Sequence, residues 1–126
     1  MSDNITIVKK PWGYEQHLDE TPKRFEDRND PSRTKILVVL PGHSLSLQLH
    51  ANRDEHWTVL SGKAGILLGE EYYVAFAGTQ WFIPRGVMHQ IRARDEHVVI
   101  LEESVGDVWD DSDIVRLADD YGRVTT

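Results

Sequence analysis

Residues 41–57, PGHSLSLQLHANRDEHW, carry the pattern that decides the fold. Apolar and polar residues alternate strictly over residues 44–50, SLSLQLH, and this period of two is typical of a β-strand. The three leucines lie on one face of the predicted strand, and Ser46, Gln48 and His50 lie on the other. A polar strand face usually meets solvent, but in a barrel it can face the interior. We interpret this strand as one wall of a closed sheet.

Working outward from this strand, four polar residues form a candidate metal site. Gln48 and His50 are two residues apart, Glu55 follows the short turn after them, and His89 ends the block GTQWFIPRGVMH, residues 78–89. Imidazole, carboxylate and amide groups together suit a borderline divalent ion. Three or four protein ligands would leave coordination positions open for a substrate, as in catalytic sites. The alternative is a polar barrel interior whose side chains satisfy one another's hydrogen bonds without an ion.

The rest of the chain consists of short apolar runs separated by turn residues. These runs span residues 5–9, 12–18, 36–40, 44–50, 56–62, 64–69, 71–76, 80–83, 89–93 and 97–103. Many short strands at close spacing predict an all-β fold, a sandwich or a jelly-roll β-barrel. The charged residues 19–34 are predicted to form a loop. Residues 111–122, DSDIVRLADDYG, predict a short C-terminal helix that Asp111, Ser112 or Asp113 would cap and Gly122 would end.

Length and composition limit the class of protein. The 126 residues suit a single domain, and the absence of cysteine excludes disulfides and thiolate metal ligands. We find no apolar run long enough for a membrane helix and no secretory segment at the N-terminus. These features predict a cytoplasmic protein without a membrane partner. The formal charge of −7 argues against a nucleic-acid partner but not against a small anionic ligand.

Four segments of the chain resemble the type II mannose-6-phosphate isomerases of the cupin superfamily. They are KPWGYEQHLD (10–19), PGHSLSLQLHANRDEHWTVLSG (41–62), FIPRGVMH (82–89) and DIVRLADDYGR (113–123). In that family the cupin commonly forms the C-terminal part of a bifunctional enzyme whose other part is a mannose-1-phosphate guanylyltransferase. The resemblance implies one cupin domain over residues 1–126 with its core at about 10–123. Residues 1–9 are a candidate dimerisation strand, and we expect a homodimer.

The resemblance also implies that a divalent ion is bound by Gln48, His50, Glu55 and His89. Zinc is the first candidate, and manganese, iron, cobalt and nickel stay open. The family usually reads QMHHHR where this chain reads QLHANR, so Ala51 and Asn52 replace two histidines. Asn52 stands where many cupins place a second histidine ligand, and we interpret Gln48 as filling that coordination position.

The activity implied by the resemblance is the interconversion of mannose 6-phosphate and fructose 6-phosphate. This reaction moves a proton between C1 and C2 of the open-chain sugar, with a metal ion polarising the carbonyl. His56 and Glu102 are the candidate bases, although strand alternation places His56 on the face opposite Glu55. Arg53, implied to be functional by its place before the EHW block, would stabilise the enediolate or the phosphate. Candidates for binding the sugar phosphate are Lys35, Arg53, Arg85 and Arg92.

Two other functions remain open at this stage. One is another cupin reaction, either a different sugar-phosphate isomerisation or epimerisation or an Fe(II)-dependent oxygenation, because a fold does not determine an activity. The other is a non-catalytic domain that binds a metal ion and a sugar. The replacements at Ala51 and Asn52 favour this second alternative.

Overall fold

The computed structural model describes residues 5–18, 32–106 and 111–124. Within these ranges the chain forms eleven β-strands and one turn of 3₁₀ helix at Asp111–Asp113. The strands are β1 (Ile5–Lys10), β2 (Gly13–Leu18), β3 (Ser32–Val39), β4 (Leu47–Leu49), β5 (Arg53–Ser61), β6 (Ala64–Leu68), β7 (Glu71–Ala75), β8 (Gln80–Ile83), β9 (His89–Ala93), β10 (Val98–Gly106) and β11 (Val115–Ala118). No helix among the described residues has the length and apolar character needed to span a membrane.

The strands form two antiparallel sheets that pack face to face. One sheet has the order β1-β2-β3-β10-β5-β8, and the other has the order β11-β4-β9-β6-β7. Neighbours in these sheets are distant in sequence, since β10 lies between β3 and β5, as in a jelly roll. The predicted all-β jelly-roll fold is therefore confirmed.

The space between the sheets is apolar at one end and polar at the other. Inward-facing residues change from polar to apolar along three neighbouring strands: Lys35, Leu37 and Val39 on β3, Glu102, Ile100 and Val98 on β10, and Glu55, Trp57 and Val59 on β5. Each fully buried apolar side chain contributes about 1.5–3 kcal/mol of transfer free energy. The apolar end thus supplies a core that can hold buried polar groups in place at the other end.

The prediction of a short C-terminal helix is wrong. After the 3₁₀ turn the chain forms β11, which pairs antiparallel with β4 and places Arg116 opposite Gln48. Val115 and Leu117 are exposed on one face of β11 while Arg116 between them is half-buried. Pairing with β4 supplies the backbone hydrogen bonds of this segment, and such tertiary pairing overrides local helix signals.

Several strand boundaries also differ from the predicted ones. The regular strand in residues 44–50 covers only Leu47–Leu49, although Ser46, Gln48 and His50 are buried inside the barrel as the alternation predicted. Most of the predicted loop, residues 19–31, lies outside the described residues, and β3 already begins at residue 32. Among the described strands, β1 pairs with β2 and forms an edge of its sheet.

Candidate metal centre

Three of the four predicted metal ligands come together inside the polar end of the barrel. His50 follows β4, Glu55 lies on β5 and His89 begins β9, and one ligand atom of each lies within 4.8 Å of the others. The Nε2 atom of His50 is 3.0 Å from Glu55 Oε2, and the Nε2 atom of His89 is 3.9 Å from Glu55 Oε1. All three residues are at most 3% exposed.

Backbone carbonyl groups fix the orientation of both imidazole rings. His50 Nδ1 is 3.0 Å from the carbonyl oxygen of Asp113, and His89 Nδ1 is 3.0 Å from that of Val87. A carbonyl oxygen can only accept, so each Nδ1 carries a proton, and in the neutral ring each Nε2 presents a lone pair toward Glu55. Metal-ligating histidines are oriented in this way. Two such nitrogens and a carboxylate are the donor set of a borderline divalent ion, and the residues fit that ion.

The turn between β4 and β5 is held by the side chain of Asp113. Its carboxylate accepts hydrogen bonds from Ala51 N (3.1 Å), Asn52 N (3.0 Å) and Asn52 Nδ2 (2.9 Å). Asn52 therefore has a structural partner in Asp113. The amide of Gly86 donates to the carbonyl of His50 at 2.6 Å, at a positive φ of 82° that favours glycine. These contacts fix the backbone that carries His50.

Arg53 forms hydrogen bonds with two members of this cluster. Its Nε donates to Glu55 Oε2 at 3.0 Å, and its terminal nitrogen Nη2 donates to His50 Nε2 at 3.2 Å. Trp57, buried beside the cluster, donates from Nε1 to the other oxygen of Glu55 at 3.0 Å. A metal ion and the Arg53 guanidinium would use the same lone pair of His50. Binding of a metal ion therefore requires Arg53 to withdraw from His50.

The charges in the cluster favour an ionised Glu55 and a neutral His89. Burial alone would raise the pKa of Glu55. The hydrogen bond and charge that His50 contributes when both of its ring nitrogens carry a proton, together with His89 and Arg53, instead hold this pKa well below its ordinary value. Burial lowers the pKa of His89 and outweighs the opposing effect of Glu55. Metal binding requires these two protonation states.

The cluster lines a cavity of about 40 Å³. Gln48, the fourth predicted ligand, lies in the same cavity, since it pairs across the sheet with His89 and is 8% exposed. Its ligation of a metal ion stays a prediction. Other charged residues that line the cavity are Lys10, Glu15, Lys35, Arg53, Glu102, Arg116 and Arg123. The cavity thus combines a ligand cluster with basic groups and further carboxyl groups.

Glu102 lies opposite Lys35 on β3 and Trp57 on β5. Burial and the nearby charge of Glu55 raise its pKa to about 8, against the opposing effect of Lys35 and Arg53. The carboxyl group of Glu102 forms no hydrogen bond or ion pair within the described part of the chain. The ammonium group of Lys35 lies 3.5 Å from Glu15. Of the predicted catalytic and phosphate-binding residues, Lys35, Arg53 and Glu102 therefore reach the cavity.

The other predicted residues do not reach it. His56 lies on the outer face of β5, where its Nδ1 is 3.5 Å from Glu103. Arg85 is on the surface and pairs with Asp54 at 3.3 Å. Arg92 is exposed because its neighbours on β9 point into the core. The structure therefore gives no support to His56 as the base or to Arg85 and Arg92 as ligands of a substrate in this cavity.

Four charged residues that line the cavity were missed from the sequence. Arg116 and Arg123 belong to the C-terminal segment that resembles the family, and Lys10 and Glu15 belong to the N-terminal one. Their position in these segments could have indicated that all four are candidate site residues. The erroneous helix prediction concealed that the C-terminal segment forms a wall of the barrel.

Comparisons with known proteins identify the family of this chain. A sequence model of the family described as "Mannose-6-phosphate isomerase C-terminal" matches residues 2–119. The xanthan biosynthesis protein XanB of Xanthomonas campestris pv. campestris is 36% identical over 117 residues, which make up 92% of this chain and 23% of XanB. A mannose-1-phosphate guanylyltransferase of Escherichia coli is 30% identical over 118 residues, which make up 93% of this chain and 23% of the enzyme. The chain spans about a quarter of the length of these curated relatives.

Solved structures support the fold in the same way. A cupin-2 domain protein of Rhodospirillum rubrum superposes with a TM-score of 0.69 at 17% identity, covering 90% of this chain and 80% of that one. At this identity the likeness shows the cupin fold alone. The match of the family model extends over almost the whole chain. The chain belongs to the mannose-6-phosphate isomerase C-terminal family and has the cupin fold.

Proposed function

We propose that this chain is a metal-dependent isomerase that interconverts mannose 6-phosphate and fructose 6-phosphate. Membership in the family supports a role of the sugar-phosphate isomerase type. The observation that carries the proposal is the cavity itself. A buried His50–Glu55–His89 cluster, a carboxyl group whose pKa is near neutrality and several basic side chains face one another there.

His50, Glu55 and His89 would hold the cation, with Gln48 as a fourth ligand. The cation, when bound, polarises the carbonyl group of the open-chain sugar and stabilises the negative charge that develops on its oxygen. The fixed Nδ1 hydrogen bonds of the two histidines keep both Nε2 lone pairs directed at one point. The two histidine rings therefore need not reorient when the substrate binds.

Glu102 is the group that we propose to transfer the proton between C1 and C2. Three carboxyl groups line the cavity among the described residues. Glu55 is bound to His50 and Arg53, and Glu15 is bound to His17 and lies near Lys35. Glu102 has neither kind of contact, and its pKa of about 8 is close to the range in which a general base works best at neutral pH.

Arg53 and Lys35 would complete the site as fixed cations. Both are buried in the cavity wall and lower the pKa of Glu102 through their charge. They would stabilise negative charge on the reacting oxygens, since electrostatic interactions are strong where water is excluded.

An assay of the purified protein tests the proposal. Metal-stripped protein reloaded with zinc, manganese, cobalt, nickel or iron(II) should convert mannose 6-phosphate to fructose 6-phosphate. Replacing Glu102 by glutamine should lower kcat by about 10²–10⁴-fold, the usual contribution of a general base, without loss of metal binding. Glu70→Gln, at an exposed turn, is the matched control. Folded protein that shows no turnover with any of these metals would refute the proposal.

A second candidate function is a domain that binds a cation and a sugar phosphate without turnover. One observation favours it, namely that the Arg53 guanidinium already uses the lone pair of His50 on which a metal would bind. Calorimetry that detects binding of mannose 6-phosphate to metal-loaded protein, combined with no conversion in the assay, would favour this candidate over the isomerase.

A further inference from the structure

The cavity is far more basic than the chain as a whole. The chain has a formal charge of −7, yet five basic residues line this one cavity. They are Lys10, Lys35, Arg53, Arg116 and Arg123. A small anion responds to the local potential of a cavity rather than to the total charge of the protein. The distribution therefore favours an anionic ligand.

The five basic residues divide into two groups by depth. Lys35 and Arg53 are buried and lie near Glu15 and Glu55, respectively. Lys10, Arg116 and Arg123 are half-buried, so they lie nearer to solvent. The outer three are therefore better placed to meet an anion that enters from solvent.

Arg116 has a defined position relative to the ligand cluster. It pairs with Gln48 across β11 and β4, and Gln48 pairs with His89 across β4 and β9. Two strand spacings separate Arg116 from His89 along this line, which is about 10 Å between backbones. A hexose 6-phosphate carries its phosphoryl group at the opposite end of the carbon chain from C1 and C2. The spacing suits a ligand whose two ends lie at these two points.

Arg123 is held in place by Asp119. The guanidinium donates from Nε to Asp119 Oδ2 at 2.8 Å and from Nη2 to Oδ1 at 3.1 Å, and the backbone amide of Arg123 adds a third bond at 2.8 Å. The guanidinium also lies 5.7 Å from the ring centre of Tyr121. A guanidinium has five N–H donors, so a bidentate bond to a carboxylate is compatible with a bound oxyanion.

The segment that carries Arg123 is itself attached to the second sheet. Ser44 donates from its hydroxyl to Asp120 Oδ2 at 2.8 Å, and the ring of Tyr121 stacks on that of His43 at 6.2 Å. These contacts hold the residues after β11 against the strand region that precedes His50.

We propose that Arg116 and Arg123, with Lys10, bind the phosphoryl group of the sugar phosphate, and that Asp119 is a positioning residue for Arg123. This inference rests on the proposed function. It assigns the phosphate to the C-terminal segment rather than to Arg85 or Arg92, which lie outside the cavity. Because the arginines are on β11 and just after it, they would recognise the substrate by the end that does not react.

Calorimetric titration of metal-loaded protein with mannose 6-phosphate, inorganic phosphate and mannose tests the site. Arg116→Gln and Arg123→Gln should each weaken the binding of mannose 6-phosphate and of phosphate by about tenfold to a hundredfold, as expected for loss of a charge-assisted hydrogen bond. Mannose, which has no phosphoryl group, should bind each variant as it binds the wild type. Arg92→Gln is the matched control and should change no affinity. Arg116→Lys, which keeps the charge, should recover part of the binding.

Two outcomes would overturn the inference. One is a folded Arg116→Gln/Arg123→Gln double variant that binds mannose 6-phosphate and phosphate as tightly as the wild type. The other is wild-type protein that binds neither compound in the millimolar range. Phosphate-dependent binding without isomerase turnover would refute the proposed function and leave this inference standing. Turnover by the double variant with an unchanged KM would refute this inference and leave the proposed function standing.

Replacement of Asp119 by asparagine tests its positioning role separately. The loss of one charge-assisted bond to Arg123 should raise KM for mannose 6-phosphate by about threefold to tenfold while kcat stays within about twofold. An effect on kcat with KM unchanged would contradict the assignment. If the protein shows no turnover, the dissociation constant for inorganic phosphate replaces KM as the measured quantity, and an unchanged value is the contradictory result.

Discussion

Replacing Asp113 by alanine tests how the chain holds its metal-ligand cluster. The Asp113 carboxylate accepts three hydrogen bonds from Ala51 and Asn52, and its backbone carbonyl accepts the Nδ1 proton of His50. Alanine keeps the carbonyl group but removes the carboxylate that fixes its position relative to the β4–β5 turn. We therefore expect both the stability of the fold and the orientation of His50 to suffer.

The contacts set the size of both effects. A hydrogen bond to a charged group contributes about 1.5–3 kcal/mol, and neighbouring bonds of one carboxylate are not additive. Since the three bonds are only partly buried, we expect the free energy of unfolding of Asp113→Ala to fall by about 2–4 kcal/mol. Loss of an outer partner of a metal-ligating histidine typically weakens metal affinity by about 10–100-fold, and because Asp113→Ala displaces this partner without removing it, we expect zinc affinity to fall by about tenfold.

Two measurements on the same variant check this reasoning. Urea unfolding of metal-free protein gives the change in stability, and zinc titration of folded protein gives the change in affinity. Asp95→Ala, an exposed aspartate in the turn before β10, is the matched control and should alter neither value. An Asp113→Ala protein with wild-type stability and wild-type zinc affinity would refute the proposed support of His50.

Three further predictions concern the buried charges and the sheet edge. Because burial raises the pKa of Glu102 from 4.5 to about 8 in the folded protein, the folded state binds more protons than the unfolded state in this interval. The free energy of unfolding of the metal-free protein should therefore fall as the pH rises from 5 to 8. Glu102→Gln should abolish much of this pH dependence in urea unfolding, and the same pH dependence in the variant would contradict the prediction. Arg53→Met should tighten zinc binding by about twofold to tenfold, since the competing bond to His50 is lost, and should destabilise the metal-free protein; weaker zinc binding would contradict it. We also propose that the edge strand β1, where Ile7 is 53% exposed, pairs with a second copy of the chain. Light scattering should therefore give the mass of a dimer. The mass of a monomer at micromolar concentration would refute this proposal.

The walls of the cavity were predictable where strand alternation and the family resemblance agreed. Alternation in SLSLQLH placed Gln48 and His50 on one face, and that face is buried inside the barrel. The same rule placed His56 opposite Glu55, and the structure confirms the opposite orientation. Alternation also predicts that Arg92 points outward, because its two neighbours on β9 are buried. Composition alone, however, does not distinguish a basic residue on the surface from one in a cavity.

Long-range pairing was not predictable from local pattern. That His89 lies opposite Gln48, and Gln48 opposite Arg116, depends on which strands become neighbours, and spacing along the chain does not determine this. The C-terminal segment has aspartates that resemble a helix start, yet its residues pair with β4 because an open strand edge is available there. The role of Asp113 was not predictable for the same reason, because its carboxylate stabilises a turn more than sixty residues earlier and does not cap a helix.

The central claim is that His50, Glu55 and His89 bind one divalent cation. Its most direct test is a zinc titration of metal-stripped protein by calorimetry, with His50→Gln, Glu55→Gln and His89→Gln as variants and the exposed His97→Gln as control. We expect wild type and His97→Gln each to bind one zinc ion with the same affinity, whereas each of the other three variants loses this binding while remaining folded. Zinc binding of wild-type stoichiometry and affinity in His50→Gln and His89→Gln would show that these residues do not bind the cation.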